Sequence, residues 1–379
     1  MAAEKALVPV NITGIREGEP LPFHLRNEDG QILAYRGQLA QRDVLERLVF
    51  RGRQLFIDAA EDHAGAWDDS GGDGHILRPR GQNWYDYQEE ANVLLRLPDD
   101  PRFLPRLIRF HDHLRELAIA NPDAALLALF YLSTIEVRFY SATHAMLVSV
   151  MCGLAARNVL SWPEEKERTL SLAALSMNVG MTDLQDTLAR QTTVLTPEQK
   201  IHVSNHASRS MSQLHRAGVT DPDWLEAVRL HHASFAGGLG NEVPWAERMA
   251  HLIQRADSFG ARRAPRATRA PLVAARAMQA IYFDENKQID PAGAALIKAV
   301  GIHTPGSFVQ LETGEVAIVV KRGQITTTPK VLVLVNSDGI ALSRFIVRDT
   351  ALPGLRVARA LERSEVKVSI NLERILGFA

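Results

Sequence analysis

The sequence predicts a mainly α protein: a helical bundle with a small α+β module before it and a β-rich extension after it. Three observations carry that expectation. From about residue 105 to 302, apolar residues recur at helical spacing between recognisable caps. On either side of that stretch the apolar period switches to two. The chain has 379 residues, 46% apolar and 23% charged, enough for two or three domains and a sizeable core. The expected parts are an N-terminal module over 1–65, a linker over 66–104, the bundle over 105–302 and the extension over 303–379.

In the first module, Leu21–Leu25 and Gln31–Tyr35 are short β-type runs, and Glu28-Asp29-Gly30 between them signals a hairpin. Val44, Leu45, Leu48 and Val49 share one helical face in "QRDVLERLVFRG", with Gly52 as its C-cap. "RQLFIDA" then returns as a strand. The stretch from 61 to 100 is rich in Gly and Asp and has no period, so it reads as linker or long loop. A calcium loop starting at Asp69 is excluded, because Gly71 stands at its third position and Arg80 where a bidentate Glu is required.

In the bundle, Thr196-Pro197-Glu198-Gln199 supplies an N-cap, a proline at the first helical position and a capping-box partner. Asp221-Pro222 repeats that logic before "DWLEAVRLHH". No repeat of fixed period is present, which argues against a solenoid. In the extension, two hairpins are expected, around Thr313-Gly314 and around Ser337-Asp338-Gly339.

Composition excludes several function classes. A formal net charge of −1 creates no global field for nucleic acid or an anionic membrane. A single cysteine, Cys152, forms no intramolecular disulfide and lies in an apolar helical run, so it reads as a small core residue. The N-terminus lacks a hydrophobic signal core. The longest apolar stretch, about 124–135, is shorter than the ~20 residues that span a bilayer. The expectation is a cytoplasmic protein without membrane or nucleic-acid partners. Trp162, Trp224 and Trp245 read as packing residues within or beside helices.

Of thirteen histidines, seven lie between 144 and 257: His144, His202, His206, His215, His231, His232 and His251. Imidazoles from separate helices that converge with a carboxylate suit Fe, Mn or Zn. His144 opens a helical run, His206 lies within one, His231-His232 ends one, and Asp257 follows in "RADSFG". The segments "THAMLVSVMCGLA", "AALSMNVGM", "TVLTPEQKIHVSNHASRSMSQL", "LHHASFAGGLG" and "VPWAERMAHLIQRADSFGARRAPRATRAP" stand in the order of the motifs of one family. So does "GIHTPGSFVQLETGEVAIVV" after them. The chain thus resembles the HD-GYP family, a branch of the HD phosphohydrolases that typically hydrolyses cyclic di-GMP. The resemblance spans about 120–320 and implies a helical HD-type bundle.

The departures from the family pattern fall on its chemistry. Met177 and Asn178 stand where the family has its His-Asp pair, and Met181 where it has a lysine. Ala233 replaces the Glu after the His pair. Gly238-Leu239-Gly240-Asn241 replaces the x-Gly-Tyr-Pro loop, of which only Gly237 matches. Tyr140 falls where some members place an extra carboxylate ligand. A two-metal site clamps the attacking and leaving oxygens between two cations. Methionine is a soft ligand poorly matched to Fe(II), Mn(II) or Mg(II), and asparagine brings no negative charge. The survivors His144, His206, His231, His232 and Asp257 are therefore expected to form either a vestigial polar cluster or a site for one divalent metal (Fe, Mn or Zn).

Arg262, Arg263, Arg266 and Arg269 form a basic stretch without an acidic residue, and Arg266 and Arg269 match the family's phosphate-binding arginines. The expected function is non-catalytic cyclic di-GMP signalling on a degenerate HD-GYP domain with no catalytic residue. The alternative is a metal-dependent cyclic di-GMP phosphodiesterase with a reduced or rearranged metal set, drawing on Asp183 or Asp186. Expected partners are proteins of a signalling pathway, with cyclic di-GMP and a second copy of the chain as further candidates.

Overall fold

The computed structural model describes residues 7–10, 21, 23–34, 55–58, 83–135, 137, 139–235 and 238–379. The helix expected over 41–52, most of the stretch 61–100 and Gly237 lie outside them. The chain divides into two compact units, Met1–Val93 and Leu94–Ala379.

In the first unit, strands β1 (Leu7–Val10), β2 (Leu25–Arg26), β3 (Ile32–Ala34) and β4 (Leu55–Asp58) form an antiparallel sheet of order β1-β4-β2-β3. The expected hairpin is present as β2–β3. Asn27 Oδ1 accepts from the backbone N–H of Asp29 and Gln31 at 3.2 and 2.8 Å, and Gly30 takes φ 78° at the turn. That left-handed conformation favours glycine.

The expectation of a linker over 66–104 is corrected at its C-terminal side, where helix α1 (Trp84–Leu94) forms. Its cap is explicit. Asn83 Oδ1 accepts from Tyr85 and Asp86 N–H, and Asp86 Oδ2 accepts from Asn83 N–H. The reciprocal bonds satisfy donors that a helix start leaves unpaired.

The second unit holds the bundle: α2 (Phe103–Ala120), α3 (Pro122–Ile135), α4 (Tyr140–Asn158), α5 (Glu164–Ser176), a 3₁₀ turn (Val179–Met181), α6 (Thr182–Arg190), α7 (Pro197–Arg216), α8 (Pro222–Leu230), α9 (Trp245–Arg263), α10 (Ala274–Tyr282) and α11 (Pro291–Val300). The Thr196 capping box and the Asp221 cap form as expected. Helix α4 is largely apolar and buried on every face from Tyr140 to Ala156, with α3, α5, α9 and α11 packed around it. A helix hydrophobic all round belongs in an interior. Cys152 is buried in it, and burial pushes its thiol pKa up. Trp162 and Trp245 meet edge to face at 5.2 Å, and Trp224 Nε1 donates to Ser176 Oγ at 2.9 Å.

Strands β5 (Phe308–Leu311), β6 (Val316–Lys321), β7 (Lys330–Val335), β8 (Ala341–Asp349) and β9 (Val357–Leu361) follow. They form an antiparallel sheet of order β8-β7-β6-β5-β9. Both expected hairpins are there; β9 closes the sheet on β5, a pairing without a local signal. Helix α12 (Leu372–Leu376) follows the sheet. The extension is joined to the bundle by specific bonds. Arg322 Nε donates to Asp123 at 2.6 Å, Tyr131 Oη to Ile370 O at 2.9 Å, and Asn121 Nδ2 to Ala379 O at 3.2 Å. Among the described residues no single helix is long and apolar enough to cross a membrane. Only α2 and α3 taken together reach that measure, and the chain bends by 117° between them.

Candidate metal centre and its flanking arginines

Four helices bring the surviving ligand-type residues together. His206 sits on the inner face of α7, His231 and His232 follow the end of α8, Asp257 lies in α9 and His144 in the first turns of α4. One ring nitrogen from each of His206, His231 and His232 falls within 4.8 Å of the other two. The ring centroids are 5.0, 4.9 and 4.2 Å apart.

The backbone fixes the tautomers of two of these rings. His206 Nδ1 contacts Val203 O at 2.6 Å, and His231 Nδ1 contacts Val228 O at 2.6 Å. A carbonyl only accepts, so both Nδ1 atoms carry the proton. Burial, reinforced by the His232 and His206 charges, pushes the His231 pKa down to about 3. Burial lowers that of His206 as well. Both rings are thus neutral at pH 7, with Nε2 as an acceptor. Yet the two Nε2 atoms face one another at 3.1 Å. Two lone pairs at that separation repel unless a proton or a cation lies between them. An imidazole whose other nitrogen donates to a backbone carbonyl is also the usual form of a metal ligand.

His144 and Asp257 are occupied differently. His144 Nε2 bonds Asp257 Oδ1 at 2.7 Å. Burial alone would raise the Asp257 pKa, but the bond and charge of His144, with His231 and His232 beyond, hold it well below the ordinary carboxylate range. Asp257 is therefore anionic and close enough to feel the His pair, while its Oδ1 is engaged by His144. The close packing of α9 on α4 fixes this geometry: a Cβ at Gly260 would lie 3.2 Å from the His144 ring.

Tyr140 adds a contact that the sequence did not reveal. Its ring stacks on His144 at 5.4 Å and 8° interplanar angle, and its hydroxyl accepts from Arg266 Nη2 at 2.9 Å. The Arg266 guanidinium also lies 5.3 Å from the Tyr140 ring centre. A neutral, buried phenol thus stands one turn before His144, and burial raises its pKa further. The only sequence signal was Tyr140 itself, at a position suited to a carboxylate.

The turn that follows two of the substituted positions packs on α7. Met177 is fully buried and Asn178 is 8% exposed, at the end of α5. The turn after them abuts α7: Gly180 N donates to Ser210 Oγ at 3.0 Å. Ser210 is four residues after His206, on the same helix face. Met181 is half-buried in that turn. Ala233 O accepts from Gln254 Nε2 at 2.6 Å, where the family has a Glu.

Asp183 and Asp186 are committed elsewhere. Arg96 pairs with Asp183 at 2.8 Å and with Asp186 as well. Asp186 further accepts from Ser141 N at 2.7 Å and Ser141 Oγ at 3.0 Å, holding the start of α4. Neither is placed as a substitute ligand, which corrects that part of the alternative expectation.

Arg263 is set apart from the other three arginines of this stretch, which lie close together: burial and then the charges of Arg266 and Arg262 lower the pKa of Arg269. Arg263 is 6% exposed, donates to Leu272 O at 2.9 Å and Ser307 Oγ at 3.3 Å, and lies 5.7 Å from the Phe130 ring. Burial lowers its pKa to about 10. It tethers the bundle to the extension, a correction to its expected place among the phosphate-binding residues. Arg262 donates to Ser258 O at 3.0 Å and Arg269 to Ala261 O at 2.6 Å. Arg266 and Arg269 bridge one another through their backbones, so this stretch is a tight turn carrying both guanidiniums. With Tyr140 as its partner, Arg266 reaches toward the His144 side of the centre.

No family model matches the chain. The cyclic di-GMP phosphodiesterase PA4108 of Pseudomonas aeruginosa is 26% identical over 232 residues, covering 60% of this chain and 55% of the relative. The chain thus matches about half the length of that relative. Among solved structures, Bd1817, an HDG"Y"P protein from Bdellovibrio bacteriovorus, gives a TM-score of 0.49 at 15% identity, over 77% of this chain and 98% of that one.

Proposed function

We infer that this chain, a member of the HD-GYP family, works as a non-catalytic regulatory module in bacterial cyclic di-GMP signalling. One observation carries the reading. The positions that should supply a bridging carboxylate and its neighbouring imidazole hold a fully buried thioether, Met177, and a carboxamide, Asn178. A buried thioether is a soft ligand poorly matched to Fe(II) or Mn(II), and a neutral carboxamide brings no negative charge to hold two cations together. The mutual bond of His144 and Asp257 supports the same reading, since each satisfies the other without a metal.

The family normally binds divalent metals, and the residues present fit one. His206, His231 and His232 would hold it: two of their Nε2 acceptors face each other at 3.1 Å and their Nδ1 protons are tied to carbonyls. Three nitrogen donors suit a borderline cation such as Zn(II) or Fe(II). A single cation supplies Lewis acidity toward a phosphate oxygen; it leaves no second charge for the leaving oxygen. On this chain's own side, Asp257 adds a negative charge beside the trio, and Arg266 with Tyr140 shields the His144 face.

Elemental analysis of purified protein, run beside a cyclic di-GMP hydrolysis assay, tests the proposal. The expected result is one divalent metal per chain or none, with no linear dinucleotide formed. Two metals per chain together with accumulating linear dinucleotide would overturn it.

A further inference from the structure

Strand β8 and the segment from helix α12 to Phe378 border an open groove of about 560 Å³ lined by Arg344, Phe345, Arg374 and Phe378. We propose that this groove is a binding site for a nucleoside monophosphate. The inference stands apart from the HD-GYP reading.

The first support is charge. Arg322, Arg348 and Arg359 of the same extension are each ion-paired, at 2.6, 2.8 and 2.7 Å. Arg344 and Arg374 have no carboxylate partner among the described residues. Both are exposed and face one groove. Two unneutralised guanidiniums present the planar N–H fork that fits phosphate oxygens in pairs.

The second support is the aromatic corner. Phe345 and Phe378 meet at 5.8 Å with their planes at 87°. Phe378 remains 36% exposed there. A flat heteroaromatic ring can stack on one face of such a corner and be met edge-on by the other. The Arg374 guanidinium already lies 4.9 Å from the Phe345 ring centre. That contact holds the charge beside the aromatic corner.

The third support is preorganisation. One wall is β8, the outermost strand of its sheet, whose other side is hydrogen-bonded to β7. The opposite wall is clamped at both ends, by Tyr131 on Ile370 O and by Asn121 on Ala379 O. Leu372 and Ile375 are buried beneath it. A site held open in this way does not spend binding energy on ordering its walls. The combination of stacking surface and paired guanidiniums selects a ligand with both an aromatic ring and a phosphate; neither part alone engages every group in the groove.

Isothermal titration of the full chain with GMP, guanosine and inorganic phosphate tests this. GMP should bind once per chain. Guanosine and phosphate alone should each bind at least about tenfold more weakly, as should GMP to R344A, R374A or F345A. H231Q should leave GMP affinity unchanged, which separates this groove from the histidine centre. No binding of GMP, binding lost in H231Q and kept in R344A/R374A, or a phosphotyrosine peptide bound more tightly than GMP would each overturn the proposal. The arginines are exposed, so their variants should unfold at the wild-type temperature, and a binding loss then reports the site.

Discussion

At position 178 a buried carboxamide oxygen has no hydrogen-bond partner. A carboxylate there would suffer more, because burying an unpaired charge costs more than burying an unpaired amide. The double substitution M177H/N178D should therefore lower the stability of metal-free protein, by about 1–3 kcal/mol. Mn²⁺ should raise the melting temperature of the double variant more than that of the wild type, since a cation bound to the folded state stabilises it. Equal shifts in the two proteins would show that these side chains never shaped the metal site. The histidine pair makes a second prediction at this scale. Folded His231 titrates at about 3 and His206 below its ordinary value, whereas in the unfolded chain both titrate near 6.5. Below about pH 6.5 the unfolded state therefore binds more protons, and stability falls as the pH drops toward 3. Each buried neutral histidine contributes a slope of up to about 1.4 kcal/mol per pH unit. Urea midpoints measured at pH 7, 6 and 5 should decline, and H231Q should flatten the decline. Midpoints that do not move with pH would contradict the neutral, buried pair.

Elements here are positioned by close backbone approach as much as by side chains. Helix α11 crosses α10 so tightly that a Cβ at Gly293 would lie 1.9 Å from Ile281 O. G293A must push the two helices apart and should cost about 3 kcal/mol, toward the upper end of overpacking penalties. Chemical denaturation reads this directly, and a neutral substitution would mean that the crossing is looser. Such crossings explain which parts of the molecule were legible in the sequence. Caps are local chemistry, so Thr196 and Asp221 announced α7 and α8, and the Asp338-Gly339 turn announced β8. Helix α1 hid behind a Gly- and Asp-rich stretch, although Asn83 and Asp86 carried its cap. Strand β9 was invisible because its pairing with β5 joins residues about fifty positions apart in the chain. The site shows the same division. The order of the motifs gave the identity of the histidines and Asp257. The bonds that define their state, His144 to Asp257 and Arg266 to Tyr140, span 113 and 126 residues and follow only from the helix packing.

At the scale of the whole molecule, the bundle and the β-rich extension form one unit, Leu94–Ala379, although the switch of sequence period suggested a boundary near 302. The reason is visible at the contact between them. Strand β6 packs on α3, and Gly306, at φ 85°, brings its backbone so near that a Cβ would sit 3.0 Å from Leu127 O. Asp123 at the start of α3 is paired with Arg322, and Arg263 of α9 reaches Ser307. Helix α3 is buried over most of its length. Removing the extension would expose part of that apolar surface, at a cost of about 25 cal/mol per Å². A fragment covering 94–379 should therefore unfold in one cooperative transition. A fragment covering 94–302 should lose that transition and bind a hydrophobic dye. If 94–302 melts cooperatively at the same temperature as 94–379, the extension is a separate domain, and the buried Arg263 serves the bundle alone.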